Sequence, residues 1–157
     1  MKYKKINFSE KMLLIILILL LLCIDRKEKF GSKLLNRCFD ESVYNEFNEY
    51  SKKIKVDGGI VYVTPTIHVP NIPMISWNGL FLNNLCVEPD IRNTGVGTQL
   101  VSGAIEYGRE RGYDHIILQV KSVNYPAIRI YEKLGFVRYM EGRDKNHEYV
   151  RVYVYYI

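Results

Sequence analysis

Arg92-x-x-Gly95-x-Gly97 stands between an apolar run, Leu80 to Val87, and a helical pattern that begins at the glycines. A strand, a turn rich in backbone N–H groups and a helix N-terminus in that order make an anion site. The helix end carries about half a positive charge and several unpaired donors. Glycines remove the Cβ atoms that would hold an anion away from those donors. The stretch therefore reads as a phosphate-binding loop, with donors from Asn93, Thr94, Gly95, Val96, Gly97 and Thr98 and added charge from Arg92. Taken alone, the glycines also fit an ordinary tight turn. No Lys-Ser/Thr follows them, which excludes a P-loop, and no third glycine completes a dinucleotide fingerprint.

Further along, Asn124, Ala127 and Tyr131 fall at the start and on one side of a second helical pattern. Asn124 either caps that helix or binds a ligand. Tyr131 is either a core tyrosine or a proton donor. Candidates for accepting a proton are sparse. Leu80 to Val87 offers Asn83 and Asn84 but no carboxylate. Glu88, His68 and the C-terminal carboxylate of Ile157 are the other possibilities, together with a water chain. Cys23, Cys38 and Cys86 lack metal-ligand spacing and read as reduced thiols, and no metal site is expected.

These residues need elements to hold them. Leu80–Val87 reads as a central strand, and a helix follows from about Gly95 to Arg111 with Leu100, Val101, Ala104, Ile105 and Gly108 on its apolar face and Gly112 as C-cap. His115–Val120 is a buried strand, and a strand–helix–strand unit of this length implies parallel neighbours. Pro126 suits the first turn of a second helix ending at Gly135. Phe136–Met140 and Tyr149–Tyr156 read as strands, the latter burying Val150, Val152 and Val154. Upstream, Asp40–Lys53 is expected to be a helix, Ile60–Val63 a short strand and Met74–Trp77 a further strand, with Asn78-Gly79 as a hairpin turn.

The 157 residues suffice for one core. The net charge of +5 is concentrated at the front: residues 1–37 carry nine Lys/Arg against three acids, and the rest carry 13 against 14. The folded part therefore lacks the basic face of a nucleic-acid binder. Residues 12–24 are apolar throughout, with no helical face. As a helix they span about 20 Å against about 30 Å of hydrocarbon, with Lys11 and Arg26 able to snorkel. The expected organisation is a basic, hydrophobic membrane segment in residues 1–31 and a folded domain in 32–157. A cleaved signal peptide, a lipoprotein signal ending at Cys23 and a core element are the alternatives. Basic residues on both sides give orientation no clear vote; the expectation is a single-pass anchor with the domain on the cytosolic side.

Val87-x-Pro89…Arg92-x-x-Gly95-x-Gly97, followed by Asn124-x-x-Ala127-x-x-x-Tyr131-Glu-Lys-Leu-Gly135-Phe136, resembles the GCN5-related N-acetyltransferases (GNAT) over roughly Leu80 to Phe136. The resemblance implies a mixed, partly parallel twisted α/β sheet flanked by helices, here preceded by an N-terminal hydrophobic helix. It implies acetyl-CoA as cosubstrate and a primary amine as acceptor: a small molecule, a peptide N-terminus or a lysine. It also implies that the loop binds the pyrophosphate, that the main chain of Leu85, Cys86 and Val87 lies beside the thioester, that Asn124 bonds the pantetheine arm past Ala127, and that Tyr131 protonates the departing thiolate. Some relatives carry a glutamate five residues before the asparagine. This chain has Gln119 there, so no general base is assigned. A non-catalytic acyl-CoA-binding or protein-interaction module on the same fold is the alternative. Neither the acceptor nor the oligomeric state is legible.

Overall fold

A computed structural model describes residues 15–18, 50–69 and 75–157. The chain divides into two compact units, Met1–Lys33 and Leu34–Ile157. Residues 15–18 of the first are helical and exposed. Most of the expected membrane segment 12–24, the boundary at 31/32, and residues 40–49 of the expected helix lie outside the described residues. Among the described residues, no helix is long and apolar enough to cross a membrane.

The second unit is built on a six-stranded sheet ordered β1-β2-β3-β4-β6-β5. The strands are β1 (Lys52–Val56), β2 (Gly59–Pro65), β3 (Gly79–Val87), β4 (His115–Lys121), β5 (Val137–Arg143) and β6 (Tyr149–Tyr156). Two helices, α1 (Val96–Glu110) and α2 (Tyr125–Lys133), follow β3 and β4. The β3–β4 pair is parallel and the other neighbours are antiparallel. The mixed, partly parallel sheet expected from the sequence is present.

β1 corrects one expectation, since Lys52 and Lys53 begin a strand rather than end a helix. Lys-Ile-Lys-Val alternates with period two, which sets Ile54 and Val56 against the core while the lysines stay exposed. Asp57-Gly58 then forms a two-residue hairpin loop into β2, with Gly58 at φ +68°.

The stretch before β3 corrects a second. Ile75–Trp77 forms no strand, and Asn78-Gly79 makes no hairpin. Asn78 instead ties two strand starts together. Its Nδ2 donates to Gly112 O (2.8 Å) and Asp114 Oδ1 (3.1 Å), and its carbonyl accepts from Asp114 N (2.9 Å). The parallel register Gly79↔His115 follows directly. Position 79 requires glycine because the His115 imidazole fills the space a Cβ would take.

Both helices pack on one face of the sheet. Leu100, Val101 and Ala104 of α1 and Ile128 and Tyr131 of α2 meet Val61, Val63, Leu80, Leu82, Ile116, Leu118 and Tyr153. Each fully buried Leu or Ile contributes about 1.5–3 kcal/mol. Ile117, Val152 and Val154 form a smaller cluster with Ile75 and Phe81. The expectation of one buried face on β6 is thus revised: Tyr153 is 1% exposed and Val154 0%, and the two occupy opposite faces of a strand buried on both.

Candidate active site

β3 and β4 pair over four residues, from Gly79↔His115 to Leu82↔Leu118, and then part. β3 stays bonded to β2, and β4 to β6 through Gln119↔Val152 and Lys121↔Val150. The gap between Asn83–Val87 and Gln119–Lys121 opens a cleft of about 1760 Å³. A bulge helps to part the strands. Tyr62 pairs with Asn83 and Ile60 with Cys86, so β3 carries one residue more than β2 over this interval. Asn84 takes the left-handed conformation (φ 52°) that its short polar side chain tolerates. Asn83 Oδ1 and Asn84 Nδ2 are buried there without a hydrogen-bond partner among the described residues.

At one end of the cleft stands the glycine loop. Gly95 is the N-cap of α1 at φ +97°, and no side chain among the described residues caps the helix. The first intrahelical bond runs from Gln99 N to Gly95 O (3.0 Å), so the N–H groups of the first turn are left for an external acceptor. Asn93 (φ 66°) adds a second left-handed turn, and successive amides in such a turn form an anion-binding concavity. Thr94 Oγ1 donates to Ile91 O (2.7 Å), and Arg92 Nε donates to Val87 O (3.3 Å), which fixes the loop against the end of β3. A Cβ on Gly97 would lie 2.8 Å from Ile130 Cδ1, so this glycine lets α2 pack against the loop. The donor set and the open first turn fit a diphosphate.

Tyr131 stands on the α2 side, packed on Phe136 and Tyr153 with ring centroids 5.7 and 6.5 Å away. Burial pushes its phenol up to about 12, so the hydroxyl keeps its proton at neutral pH. Asn124 Oδ1 accepts from Ala127 N (3.4 Å) and caps α2. The cap leaves its Nδ2 without a partner among the described residues.

Of the sequence-derived site residues, Leu85, Cys86, Val87, Arg92, Asn93, Gly95, Gly97, Thr98, Asn124, Ala127 and Tyr131 all line this one cleft. Thr94 and Val96 do not line it: Thr94 is turned to Ile91, and Val96 packs against the core near Gly59. Cys86 is disulfide-bonded, not the reduced thiol expected, and its partner lies outside the described residues. Among the base candidates, His68 lines the cleft with its ring stacked on Tyr50 (centroids 3.8 Å, 7°). Gln119 lines it as well, and Glu88 does not. Ile157 N bonds to Asp114 O, at the opposite end of β4, so the C-terminal carboxylate is not at the cleft.

Nothing in the residue pattern pointed to the far wall, Met140–Lys145 of the β5–β6 hairpin, or to Arg129 and Lys133 on α2. Two carboxylates on that wall are engaged. Glu141 Oε2 meets Arg138 Nη1 (3.2 Å) and Arg151 Nε (3.6 Å). Asp144 Oδ1 accepts from the amides of Asn146 and Glu148 (2.9 Å each). Only the charge alternation of Glu141-Gly-Arg-Asp-Lys145 hinted at such pairing.

Residues 71–136 match the family model described as "Acetyltransferase (GNAT) family". Streptothricin acetyltransferase of Streptomyces lavendulae is 40% identical over 62 residues, covering 39% of this chain and 33% of its own. A mycothiol acetyltransferase of Thermobispora bispora is 42% identical over 53 residues, covering 34% and 18%. The chain thus spans a third or less of the length of these curated relatives. Among solved structures, a Bacillus subtilis acetyltransferase in complex with CoA superposes with a TM-score of 0.60 at 14% identity, covering 75% of this chain and 84% of that one. The ribosomal-protein-S18-alanine N-acetyltransferase from Escherichia coli gives 0.56 at 21% identity, covering 76% and 77%. Parted parallel strands, a glycine loop opening a helix and a family match over both lead to one conclusion: over residues 71–136 the chain is similar to the GNAT family, and its sheet has the fold of the acetyltransferases named above.

Proposed function

We propose that the protein is an acetyl-CoA-dependent N-acetyltransferase acting on a primary amine. One observation carries this reading: the loop donors, the bulged strand and the protonated Tyr131 converge on a single cleft between β3 and β4. The N–H groups at the start of α1 and Arg92 take the diphosphate, and Asn124 Nδ2 takes an amide of the pantetheine arm. The amine nitrogen attacks the thioester carbonyl; the C–N bond forms and the C–S bond breaks. A main-chain N–H near the bulge, Leu85–Val87, stabilises the oxyanion, and Tyr131 gives its proton to the departing sulfur. The amine proton leaves through solvent or a group that the acceptor itself completes. Calorimetry with acetyl-CoA tests the cofactor half, and release of free CoA thiol across an amine and peptide panel tests the rest. Absence of heat and of turnover would sink the reading.

The relatives named for streptothricin and for S18 alanine support an amine acceptor without choosing one. The apolar segment 12–24 supports a membrane-held enzyme. Carbonate extraction of the full chain from membranes tests this, and release into the supernatant would overturn it. A second reading, acyl-CoA binding without transfer, is favoured by one fact: Glu141 and Asp144, carboxylates on the cleft wall, are already occupied. Acetyl-CoA binding with no turnover on any amine would select it.

A further inference from the structure

We propose that Asn83 and Gln119 are paired positioning residues for the acceptor, two carboxamides that take the attacking nitrogen as a neutral amine and so select amines of low basicity. The inference rests on the acetyl-CoA reading above. Leu82↔Leu118 is the last rung between β3 and β4. Asn83 and Gln119 are therefore the first residues past the fork, one on each parted strand. They also share a face. Phe81 and Ile117 pack with Val152 on the side away from the helices, and two-residue alternation puts Asn83 and Gln119 on that same side. Tyr131 comes from the helix side. An amine entering between the two amides thus meets the thioester from the face opposite the proton donor.

Both residues line the cleft. Gln119 is exposed, and Asn83 Oδ1 is buried without a hydrogen-bond partner among the described residues. An orphaned carbonyl oxygen is costly, and the broad, two-fold terminal torsion of an asparagine lets it turn toward the cleft. There it accepts an N–H of the amine. A carboxylate at either position would favour the ammonium form and could take its proton; a carboxamide does neither. Among the described residues, the acids that line the cleft are Glu141 and Asp144. The first is paired with Arg138 and Arg151, and the second holds its own turn. Lys121, Arg143 and Lys145 line it as cations with no room for another proton. His68 follows Pro65, which pairs with Leu80 on the closed side of the fork. The amine consequently sheds its first proton to water before it binds. After attack one N–H proton stays on the new amide, the other leaves to water, and water returns a proton to Tyr131. An α-amino group has a pKa of about 7.7–8.0 and a lysine-like alkylamine about 10.4, so near neutral pH the first is about 200 times richer in the neutral form.

The test measures kcat/KM for release of CoA thiol by the full chain, with acetyl-CoA and a series of unhindered primary amines: butylamine, 2-methoxyethylamine and glycinamide, in order of falling basicity. Near neutral pH glycinamide should be favoured over butylamine by about tenfold or more, the part of that ratio left after the greater nucleophilicity of butylamine. Each pH profile should climb about tenfold per unit and level at the pKa of its own amine. Asn83→Asp and Gln119→Glu should each shrink the preference, because a carboxylate in the fork binds butylammonium and accepts its proton. A merely structural loss would slow all the amines alike. A break at one pH shared by every amine would overturn the proposal in favour of a base on the protein. A preference unchanged in both variants would overturn the assignment to this pair. Acetyl-CoA binding heat without turnover on any amine would overturn the pair's role and leave cofactor binding standing. No heat at all would overturn the acetyl-CoA reading as well. The parent profiles need no variant, so they decide the matter even if both variants misfold.

Discussion

The two ends of the cleft are made of different material. At the glycine loop the working groups are main-chain N–H donors, held by two left-handed residues, Asn93 and Gly95, and by the Thr94–Ile91 bond. On the β5–β6 hairpin they are side chains already satisfied by one another. Glu141 lies between Arg138 and Arg151, Arg143 stacks over Tyr149 at 4.3 Å, and Asp144 holds its own turn. A main-chain site depends on conformation, and few residue types permit it. A side-chain wall depends on pairings that many sequences could supply. One end is therefore suited to a constant ligand and the other to a variable one.

Four experiments break or sharpen that contrast. The largest effect belongs to Gly97→Val. Its branched side chain would enter the space of Ile130 and spread α2 from the loop. We expect acetyl-CoA affinity to fall more than about 100-fold and stability by about 1–3 kcal/mol, as in overpacked sites; calorimetry and thermal melts read the two. Tyr131→Phe comes next. Turnover should fall by about 100-fold, typical of a lost general acid, with KM for acetyl-CoA within about twofold. Unchanged turnover would return Tyr131 to the core.

The third is a pH effect on stability. Tyr131 is held near 12 by burial, against 10.0 for an ordinary tyrosine. Below pH 10 both folded and unfolded chains keep the proton, so this group makes no difference. Between 10 and 12 the unfolded chain loses it first. Stability should therefore decline as pH rises through that window, by up to about 2 kcal/mol. The decline should be shallower in Tyr131→Phe, as read by denaturant titration. The smallest effect is that of Glu141→Gln. Its ion pairs are exposed, so stability should change by less than about 1 kcal/mol, and acetyl-CoA affinity should stay constant. A change in amine KM alone would assign the hairpin to the acceptor side, whereas a change in acetyl-CoA affinity would erase the distinction between the two ends.

The same contrast explains what could be read in advance. The loop, α1, the β3–β4 crossover and α2 were legible because Gly95, Gly97, Gly112, Pro126 and Gly135 mark backbone requirements that few substitutions meet. β1 was missed because three lysines, Lys52, Lys53 and Lys55, looked like a helix end. The period-two alternation and the Asp57-Gly58 turn were the better signal. Asn78-Gly79 misled in the other direction: a dipeptide suited to a hairpin serves here as a bracket to Gly112 and Asp114, a role set by residues more than thirty positions away. The basic row of α2 and the hairpin wall were invisible because ordinary surface charges acquire meaning only from what they face.

Asn84 has one more consequence, which concerns phase. Along β3 the helix-facing side chains are even-numbered before it, Leu80 and Leu82, and odd-numbered after it, Leu85 and Val87. A single extra residue shifts the strand's alternation by half a cycle. The first half of β3 keeps step with the core, and the second keeps step with the glycine loop that follows. Deleting Asn84 would restore one unbroken alternation with Leu85 and Val87 still on the helix side, since the extra residue alone shifts the count. The chain would keep every residue type its loop needs and lose the bulge that helps to part β3 from β4 at the cleft.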